Sequence, residues 1–383
     1  MDAQPINTVT RMFKDIEHHD PRAVNARHYL TDILVITLVA VMGGADDYRG
    51  IVEYAKDEQA WLKTFLPLPH GIPSISTFRR IFAALNPVAL EGVLQRWAGE
   101  IAVSLVGKQI CLDGKTLRRS FEQGWKKSGL HLVTAWCAEE NLVLAQQAVD
   151  KKSNEITAVP KLLELLDLKG AVVTADALNT QKHIAEQVIK GGGDYLLAVK
   201  GNHGGLKAAI KRNMDEMILE KFKDVRHVSH QSTEGGHGRI DTRSVWATDQ
   251  IDWLGCRAEW VGCKSVAVVD SIRRVIGGET TTQRRYFLSS IKCESGERFA
   301  GLIRNHWSIE NSQHWTLDMA FNEDQSRVRR EHGAQNLAVV RRIGLGLLKR
   351  DKSVEAGVKN KRLKAGRNRE YLLKVLLATA EAK

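Results

Sequence analysis

The sequence predicts an α/β protein that begins with an all-helical domain, and three patterns support this prediction. The first hundred residues show helical periodicity, including an apolar run at 31–44 that starts after capping residues and stops at paired glycines. An alternation of strands and helices begins near Lys108. Helical patterns return after residue 292. At 383 residues, the chain is long enough for two or three domains.

The segment 106–200 predicts a mixed β-sheet covered by helices. Three strands come first, and the second and third form a hairpin around the polar turn 139–141. A helix, a strand that ends before Asp176, a second helix and a fifth strand follow. This order is typical of the ribonuclease H-like fold, in which the first and fourth strands are neighbours.

A stretch of irregular, β-rich sequence interrupts this pattern. We interpret it as an insertion between the fifth strand and the last helices of the core. The predicted organisation is a helical N-terminal domain (1–105), the first part of a ribonuclease H-like catalytic core (106–200), a β-rich insertion (201–292), the second part of the core (293–350) and a basic C-terminal tail (351–383).

The charge of the chain favours a polyanionic partner. The net charge is +11 and the pI is about 9.4. Between Arg341 and Lys383 there are 13 Lys and Arg residues against 4 Asp and Glu, or +9 of the net +11. A basic segment of this kind is also compatible with an ordinary solvated surface.

Cysteine usage and hydropathy indicate the compartment. The five cysteines are scattered and include no CxxC pair, which argues against a disulfide framework or a zinc cluster. The longest apolar stretch is about half the roughly twenty residues that a membrane-spanning helix needs. We therefore expect a cytoplasmic protein with no membrane partner, which would be nucleoid-associated if its polyanionic partner is DNA.

Two aspartates stand at positions suited to chemistry. Asp113 follows the first apolar strand and precedes a glycine, and Asp176 closes the fourth strand. Ligands bind beyond the carboxyl ends of strands in α/β folds, and neighbouring strands would let these acids share one ion. An Asp before Gly is also a common turn former. Asp176 is the stronger candidate, because a charge that closes a buried strand is costly unless it is paired or metal-bound.

A third acid is expected from the late helical segment. His306, Glu310, His314 and Asp318 recur every four residues, which places them on one stripe of an α-helix. Three carboxylates from two strands and a helix can hold two Mg²⁺ or Mn²⁺ ions about 3.5–4 Å apart. A zinc hydrolase that uses His306, Glu310 and His314 is the alternative, although it leaves both aspartates without a role.

Several sequence blocks together resemble one family. They include "LDGKTLR", "AVDKKSNEITAVPKLLELLDLKGAVVTADALNTQ", "GGDYLLAVKGN", "HWSIENSQHWTLDMAFNED" and "NLAVVRRIGLGLLKR". The chain resembles, almost end to end, the insertion-sequence transposases of the As-one family. That family includes the H-repeat-associated proteins and belongs to the broader IS-four-like DDE group.

The resemblance implies a function and a set of residues. It implies a DDE triad at Asp113, Asp176 and Glu310, with Mg²⁺ or Mn²⁺ as cofactor. It also implies an enzyme that binds double-stranded DNA at terminal inverted repeats, cleaves it, and transfers 3′ ends to target DNA, with a homodimer in the active complex. The alternative is a DNA-binding protein whose nuclease activity has lapsed.

This sequence departs from the family pattern at three places. Asn179 replaces the histidine usual before "TQ", and Asp241 replaces the usual glutamate of the "HGR" block. The signature of the wider group is also altered, because His306 stands where an arginine is usual, four residues before Glu310.

Other residues are candidates for contacts with DNA. Arginines open the helix near residue 75, basic residues follow Asp113 and the fifth strand, and an alternating stretch near residue 239 exposes one strand face. Trp307 and Trp315 flank Glu310 and could stack on a base, and His306 and His314 lie on the same stripe as Glu310. The set is Arg79, Arg80, Lys115, Arg118, Arg119, Lys200, His237, Arg239, His306, Trp307 and His314.

Overall fold

The N-terminal part of the chain is helical. The computed structural model describes residues 10–13, 15–22, 26–121, 129–150, 154–236 and 238–377. The helices before the first strand are α1 (Leu30–Met42), α2 (Tyr48–Asp57), α3 (Gln59–Leu62), α4 (Ile75–Ala84) and α5 (Pro87–Ile101). Helix α1 is buried along almost its whole length, as its uniformly apolar sequence predicts.

All strands within the described residues belong to one nine-stranded sheet. They are β1 (Gln109–Leu117), β2 (Leu130–Cys137), β3 (Leu142–Ala148), β4 (Val172–Ala175), β5 (Asp194–Val199), β6 (Val228–Gly236), β7 (Arg239–Thr248), β8 (Ser265–Val275) and β9 (Thr280–Ser289). Their spatial order is β3-β2-β1-β4-β5-β9-β8-β7-β6. The predicted hairpin of β2 and β3 is confirmed, and so is the adjacency of β1 and β4, which run parallel.

The segment interpreted as an insertion differs from the prediction in two ways. Strands β6 to β9 extend the sheet, because β9 pairs antiparallel with β5. The segment also contains a sixteen-residue helix, α8 (Gly204–Leu219), which the sequence interpretation missed. Only Leu206, Ile210 and Met214 of α8 are buried, so its apolar stripe is too narrow to dominate the charged residues between them.

Helices cover both faces of the sheet. Between the strands lie α6 (Glu155–Leu163) and α7 (Lys182–Lys190), and after β9 come α9 (Gly296–His306), a π-helical turn (Ile309–His314), α10 (Trp315–Phe321) and α11 (Gly333–Arg350). Helix α9 buries Phe299, Leu302 and Ile303 against one face of the sheet. Helix α11 packs with the N-terminal helices in a second, larger hydrophobic core. A Cβ at Gly346 of this helix would lie 2.7 Å from the Trp97 ring, so glycine permits the close approach.

The C-terminal segment is folded rather than an extended basic tail. It forms α12 (Val358–Arg367) and α13 (Arg369–Leu377), and its Tyr371, Leu372, Val375 and Leu376 are buried. Several of its charges are buried as well, including Arg362, which is 5% exposed. Charge counting missed this packing because the partners of these cations are distant carbonyl groups. No helix in the described ranges has the length and apolarity needed to cross a membrane.

Candidate active site

The pairing of β1 with β4 places Asp113 beside Asp176. Leu112 is in register with Ala175, so each aspartate is the next residue of two parallel strands that lie about 4.8 Å apart. The sequence interpretation placed Asp113 at the end of the first strand, but in the structure it lies within β1. Strand β1 continues to Leu117, because β2 goes on pairing with it after β4 has ended. The two carboxylates therefore share one face where β4 stops.

A helical run crosses this face of β1 in step with the strand. Alternate residues of a strand point to the same side, so residues 109, 111, 113 and 115 face one helix after another. The observed contacts are Gln109 Nε2 to the Leu302 carbonyl (2.9 Å), Cys111 Sγ to the Asn305 carbonyl (3.5 Å), Asp113 Oδ2 to His314 Nδ1 (3.5 Å) and Lys115 Nζ to Asp318 Oδ1 (2.5 Å). These contacts fix the position of the segment that carries Glu310.

The segment that carries Glu310 is not a regular α-helix. Residues Ile309–His314 form a π-helical turn, in which i→i+5 bonds add a residue to the turn. The predicted stripe of four residues assumed α-helical spacing. In the structure Glu310 is exposed, whereas the His314 side chain is only 13% exposed and the His306 imidazole contacts Thr174. Turns of this type often occur at functional sites.

Charge interactions connect Asp113 with Asp176 and Glu310, and Asp176 with Glu310. Burial, together with the smaller effects of the Glu155, Glu310 and Asp176 charges, raises the pKa of Asp113 to about 7. Burial also raises the pKa of Asp176, and the Glu155 charge adds to this effect. Glu310 is exposed as a whole residue, but partial desolvation of its carboxyl group, together with the Asp176 charge, raises its pKa. Lys200, just after β5, acts in the opposite direction on Asp176 and Glu310. Such acids are favourable places for a cation.

A fourth carboxylate, Glu155, lies beside the aspartates and was missed by sequence reasoning. One oxygen is 2.7 Å from His131 Nε2, and the other accepts from Asn179 Nδ2 at 2.7 Å. Asn179 Nδ2 also donates to Asp176 Oδ1 at 3.2 Å. Burial acts to raise the pKa of Glu155, but the bonds from His131 and Asn179 hold it below its ordinary value. The available signal was an acid in the first helical turn directly after the capping Asn154.

The donor set matches the chemistry of a magnesium site. Carboxylate oxygens are the ligands that Mg²⁺ and Mn²⁺ prefer. Within the part of the chain that the structure describes, no three His, Cys, Asp or Glu side chains are gathered closely enough to form a ready-made metal site. The zinc alternative is not supported, because His306 contacts Thr174 of β4 and His314 lies beside Asp113 of β1.

The basic residues after Asp113 differ in how free they are. Lys115 is 7% exposed and its ammonium contacts Asp318 and Asp324, which corrects the expectation that it is free to bind a phosphate. The Arg118 side chain is 81% exposed and reaches Asp324 at 3.1 Å. Arg119 is exposed. The two arginines are the better candidates for a nucleic-acid contact.

The aromatic and imidazole candidates fall into two groups. Trp307 is 41% exposed, with the Arg285 guanidinium 5.1 Å from its ring centroid. Burial lowers the pKa of His306 to about 4 and that of His314 to about 3. Both imidazoles are therefore neutral near pH 7 and would bring no positive charge to DNA, and their contact with DNA stays a prediction.

The remaining candidates lie at three places. Lys200 is exposed beside the acids. Arg239, on β7, contacts Asp241 Oδ2 at 3.3 Å, and His237 lies outside the described residues. Arg79 and Arg80 are both exposed on α4, which is capped by Ser74.

Comparisons with known proteins identify the family. Residues 106–345 match the family described as "Transposase DDE domain", and residues 10–98 match the "DDE_Tnp_1-associated" family. The chain is 36% identical to "H repeat-associated putative transposase YhhI" of Escherichia coli K12, over 91% of this chain and 92% of that protein. It is 37% identical to "Putative transposase YncI" of Escherichia coli O157:H7, over 93% of this chain and 91% of that protein.

One solved structure also aligns along most of the chain. It is the cryo-EM structure of the piggyBac transposase synaptic complex with hairpin DNA, with a TM-score of 0.45, 11% identity, and coverage of 98% of this chain and 82% of that chain. The family match spans more than half of the chain, and the relatives match it almost from end to end. The chain therefore belongs to the DDE transposases, among the relatives of the H-repeat-associated proteins.

Proposed function

We propose that this transposase binds the terminal inverted repeats of an insertion sequence as a homodimer, cleaves the DNA there and transfers the 3′ ends to target DNA. In this proposal the sheet has a ribonuclease H-like core, Asp113, Asp176 and Glu310 are the catalytic triad, and Mg²⁺ or Mn²⁺ is the cofactor. The observation that carries the proposal is the placement of the two aspartates side by side at the end of β4, next to the segment that carries Glu310.

The electrostatics of the site support this assignment. The charges of Asp176 and Glu310 raise the pKa of Asp113, the Asp176 charge raises that of Glu310, and a shared cation would relieve this repulsion. When bound, a pair of divalent ions would activate the attacking oxygen and stabilise the leaving oxygen of an in-line displacement at phosphorus. Asp113, Asp176 and Glu310 would hold the ions, and the hydrogen bond from Asn179 keeps the Asp176 carboxylate oriented.

Other residues of the chain would orient the DNA rather than hold ions. Lys200 is exposed and close enough to influence Asp176 and Glu310, so its ammonium would neutralise a phosphate next to the scissile bond. Glu155 would act through Asn179 as a positioning residue for Asp176. Trp307 would offer an aromatic face on the side of the site formed by the helical run.

The decisive experiment removes the acids one at a time. Asp113→Asn, Asp176→Asn and Glu310→Gln keep the size of each side chain and remove its negative charge. With a DNA fragment that the wild-type protein cuts in Mg²⁺, each variant should lose cleavage by about a thousandfold or more, and double variants should lose little more. DNA binding should persist, because the substitutions remove charges that repel phosphates.

The control and the contrary results are specific. Asp252→Asn removes one negative charge from an exposed residue paired with Arg257, and it should cut normally. Substantial cleavage by Glu310→Gln would show that another acid completes the triad. Binding without any cleavage by the wild type would favour the lapsed, DNA-binding alternative. Stoichiometric zinc in protein purified without chelator would instead favour the hydrolase.

A further inference from the structure

An arginine-rich cleft lies between the N-terminal helices and the loop that follows α10. We call it the arginine cleft. Its volume is about 1140 Å³. Its walls come from the start of α2, from α4 and from the loop 322–330, and its arginines are Arg49, Arg79, Arg327, Arg329 and Arg330.

The positive charge of the arginine cleft is largely uncompensated. Asp46 pairs with Arg362 at 2.7 Å, and Asp47 keeps its negative charge while it accepts the amide hydrogens that cap α2. Arg330 pairs with Glu331 at 3.6 Å, so these acids offset only part of the charge of the five arginines. Arg49, Arg79 and Arg327 are exposed, and no carboxylate within the described ranges forms an ion pair with any of them. Exposed cations held this way attract a polyanion.

The positive surface extends from the cleft toward the catalytic acids. The loop 322–330 is attached to β1, since Asp324 contacts Lys115 Nζ at 3.3 Å and Arg118 Nε at 3.1 Å. Arg329 Nε donates to the Arg119 carbonyl at 3.1 Å. A second cleft, lined by Arg119, Phe121, Arg327 and Arg329, continues the first. Lys115 and Asp113 are two residues apart on the same face of β1.

We propose that the arginine cleft binds the sugar-phosphate backbone of the double-stranded DNA that flanks the reacting phosphate, and that it does so without reading bases. This proposal rests on the proposed function and names the route of the DNA past the site. Guanidinium groups suit phosphates because their planar donors bond two oxygens at once. Arginines from both the N-terminal helices and the core would hold one duplex, which fixes it relative to Asp113 and Asp176.

Two neighbouring arginines of α4 differ in their relation to the cleft. Arg79 lines it, whereas Arg80, next to it on the helix and equally exposed, does not. A helix inserted into a DNA groove would use both residues. A backbone-binding cleft requires Arg79 and leaves Arg80 dispensable. The pair therefore supplies a matched control.

The test measures duplex binding by fluorescence anisotropy in EDTA, so that its result is independent of cleavage. The triple variant Arg49→Ala, Arg79→Ala, Arg327→Ala should lower the slope of log affinity against log salt by roughly 2–3, because each lost phosphate contact accounts for about 0.9. Arg79→Ala alone should weaken binding by about fivefold, equally for end-containing and unrelated duplexes, and Arg80→Ala should bind as the wild type.

Three results would overturn the proposal. They are an unchanged salt slope for the triple variant, equal losses for Arg79→Ala and Arg80→Ala, and a loss confined to end-containing DNA. Thermal unfolding of each variant checks that it is folded, since substitutions of exposed arginines should leave the unfolding midpoint nearly unchanged. If the triad assignment fails, cleavage is unaffected by the acid variants. If the cleft proposal fails, the arginine variants give one of the three binding results above, whereas the acid variants still lose cleavage.

Discussion

Removal of the Arg362 guanidinium should destabilise the protein strongly, although the sequence of the basic segment 351–383 is compatible with a solvated surface. Arg362 donates to the carbonyls of Val41, Ala45 and Ala320 at 2.6, 2.6 and 2.5 Å, and to Asp46 Oδ1 at 2.7 Å. Arg362→Met keeps most of the stem and deletes every donor. It leaves these acceptors without their cation.

The size of the effect follows from these contacts. The Asp46 side chain is 36% exposed, so water can replace that bond, and the three carbonyls are the costly losses. A buried acceptor left unpaired costs about 1–3 kcal/mol, and the terms do not add fully, so the expected loss is about 4 kcal/mol. With an m-value of about 3 kcal/mol/M, the urea midpoint should fall by roughly 1 M.

The assay is urea unfolding followed by circular dichroism, with Lys359→Ala as the matched control. Lys359 is exposed on the same helix, α12, so its removal should change stability by no more than about 0.5 kcal/mol. Arg362→Lys should fall between the two, because one ammonium cannot reach all the acceptors. An equal midpoint for Arg362→Met and Lys359→Ala would refute the idea that this cation fastens α12 to the N-terminal helices.

Two further predictions concern a buried acid and a glycine. Burial raises the pKa of Asp32 from 3.8, its ordinary value, to about 6 in the folded protein. Because the unfolded chain loses this proton first, the wild-type protein loses about 3 kcal/mol of stability as the pH rises through this range. Asp32→Asn should therefore unfold at higher urea than wild type at pH 8 and at the same urea at pH 4, and equal midpoints at pH 8 would contradict this reasoning. A Cβ at Gly114 would lie 2.6 Å from both Glu155 Cδ and His131 Nε2, so Gly114→Ala should separate this pair and lower cleavage at least about tenfold at unchanged DNA affinity. Gly99→Ala, which meets open space, is its control, and normal cleavage by Gly114→Ala would show that Glu155 does not position the site.

Local pattern was a good guide where an element is defined by its own residues. The buried helix α1, the hairpin of β2 and β3, and the strand that delivers Asp176 all follow from apolar runs and turn residues. The helix α8 was missed because only three of its residues face a core. Hydrophobic periodicity reflects which residues of a helix are buried, so a mostly exposed helix produces only a weak pattern.

The site shows the same division at the level of single residues. Asp113 and Asp176 could be selected from sequence, because an acid that directly follows an apolar run is unusual. The role of Glu155 could not, since its partners His131 and Asn179 come from different elements. The orientation of Glu310 could not be predicted either, because the π-helical turn breaks the four-residue spacing.

The sequence by itself determined the composition of the molecule: an α/β chain with a helical start, a strongly basic balance, and carboxylates that directly follow apolar runs. Only the tertiary structure decided which of its charges are free. Lys115, Arg342 and Arg362 are nearly or fully buried against distant acids and carbonyls, whereas Arg49, Arg79 and Arg327 remain exposed around one cleft. The physical reason is that a side chain's charge is local information, while its desolvation and its partners depend on residues brought close by folding.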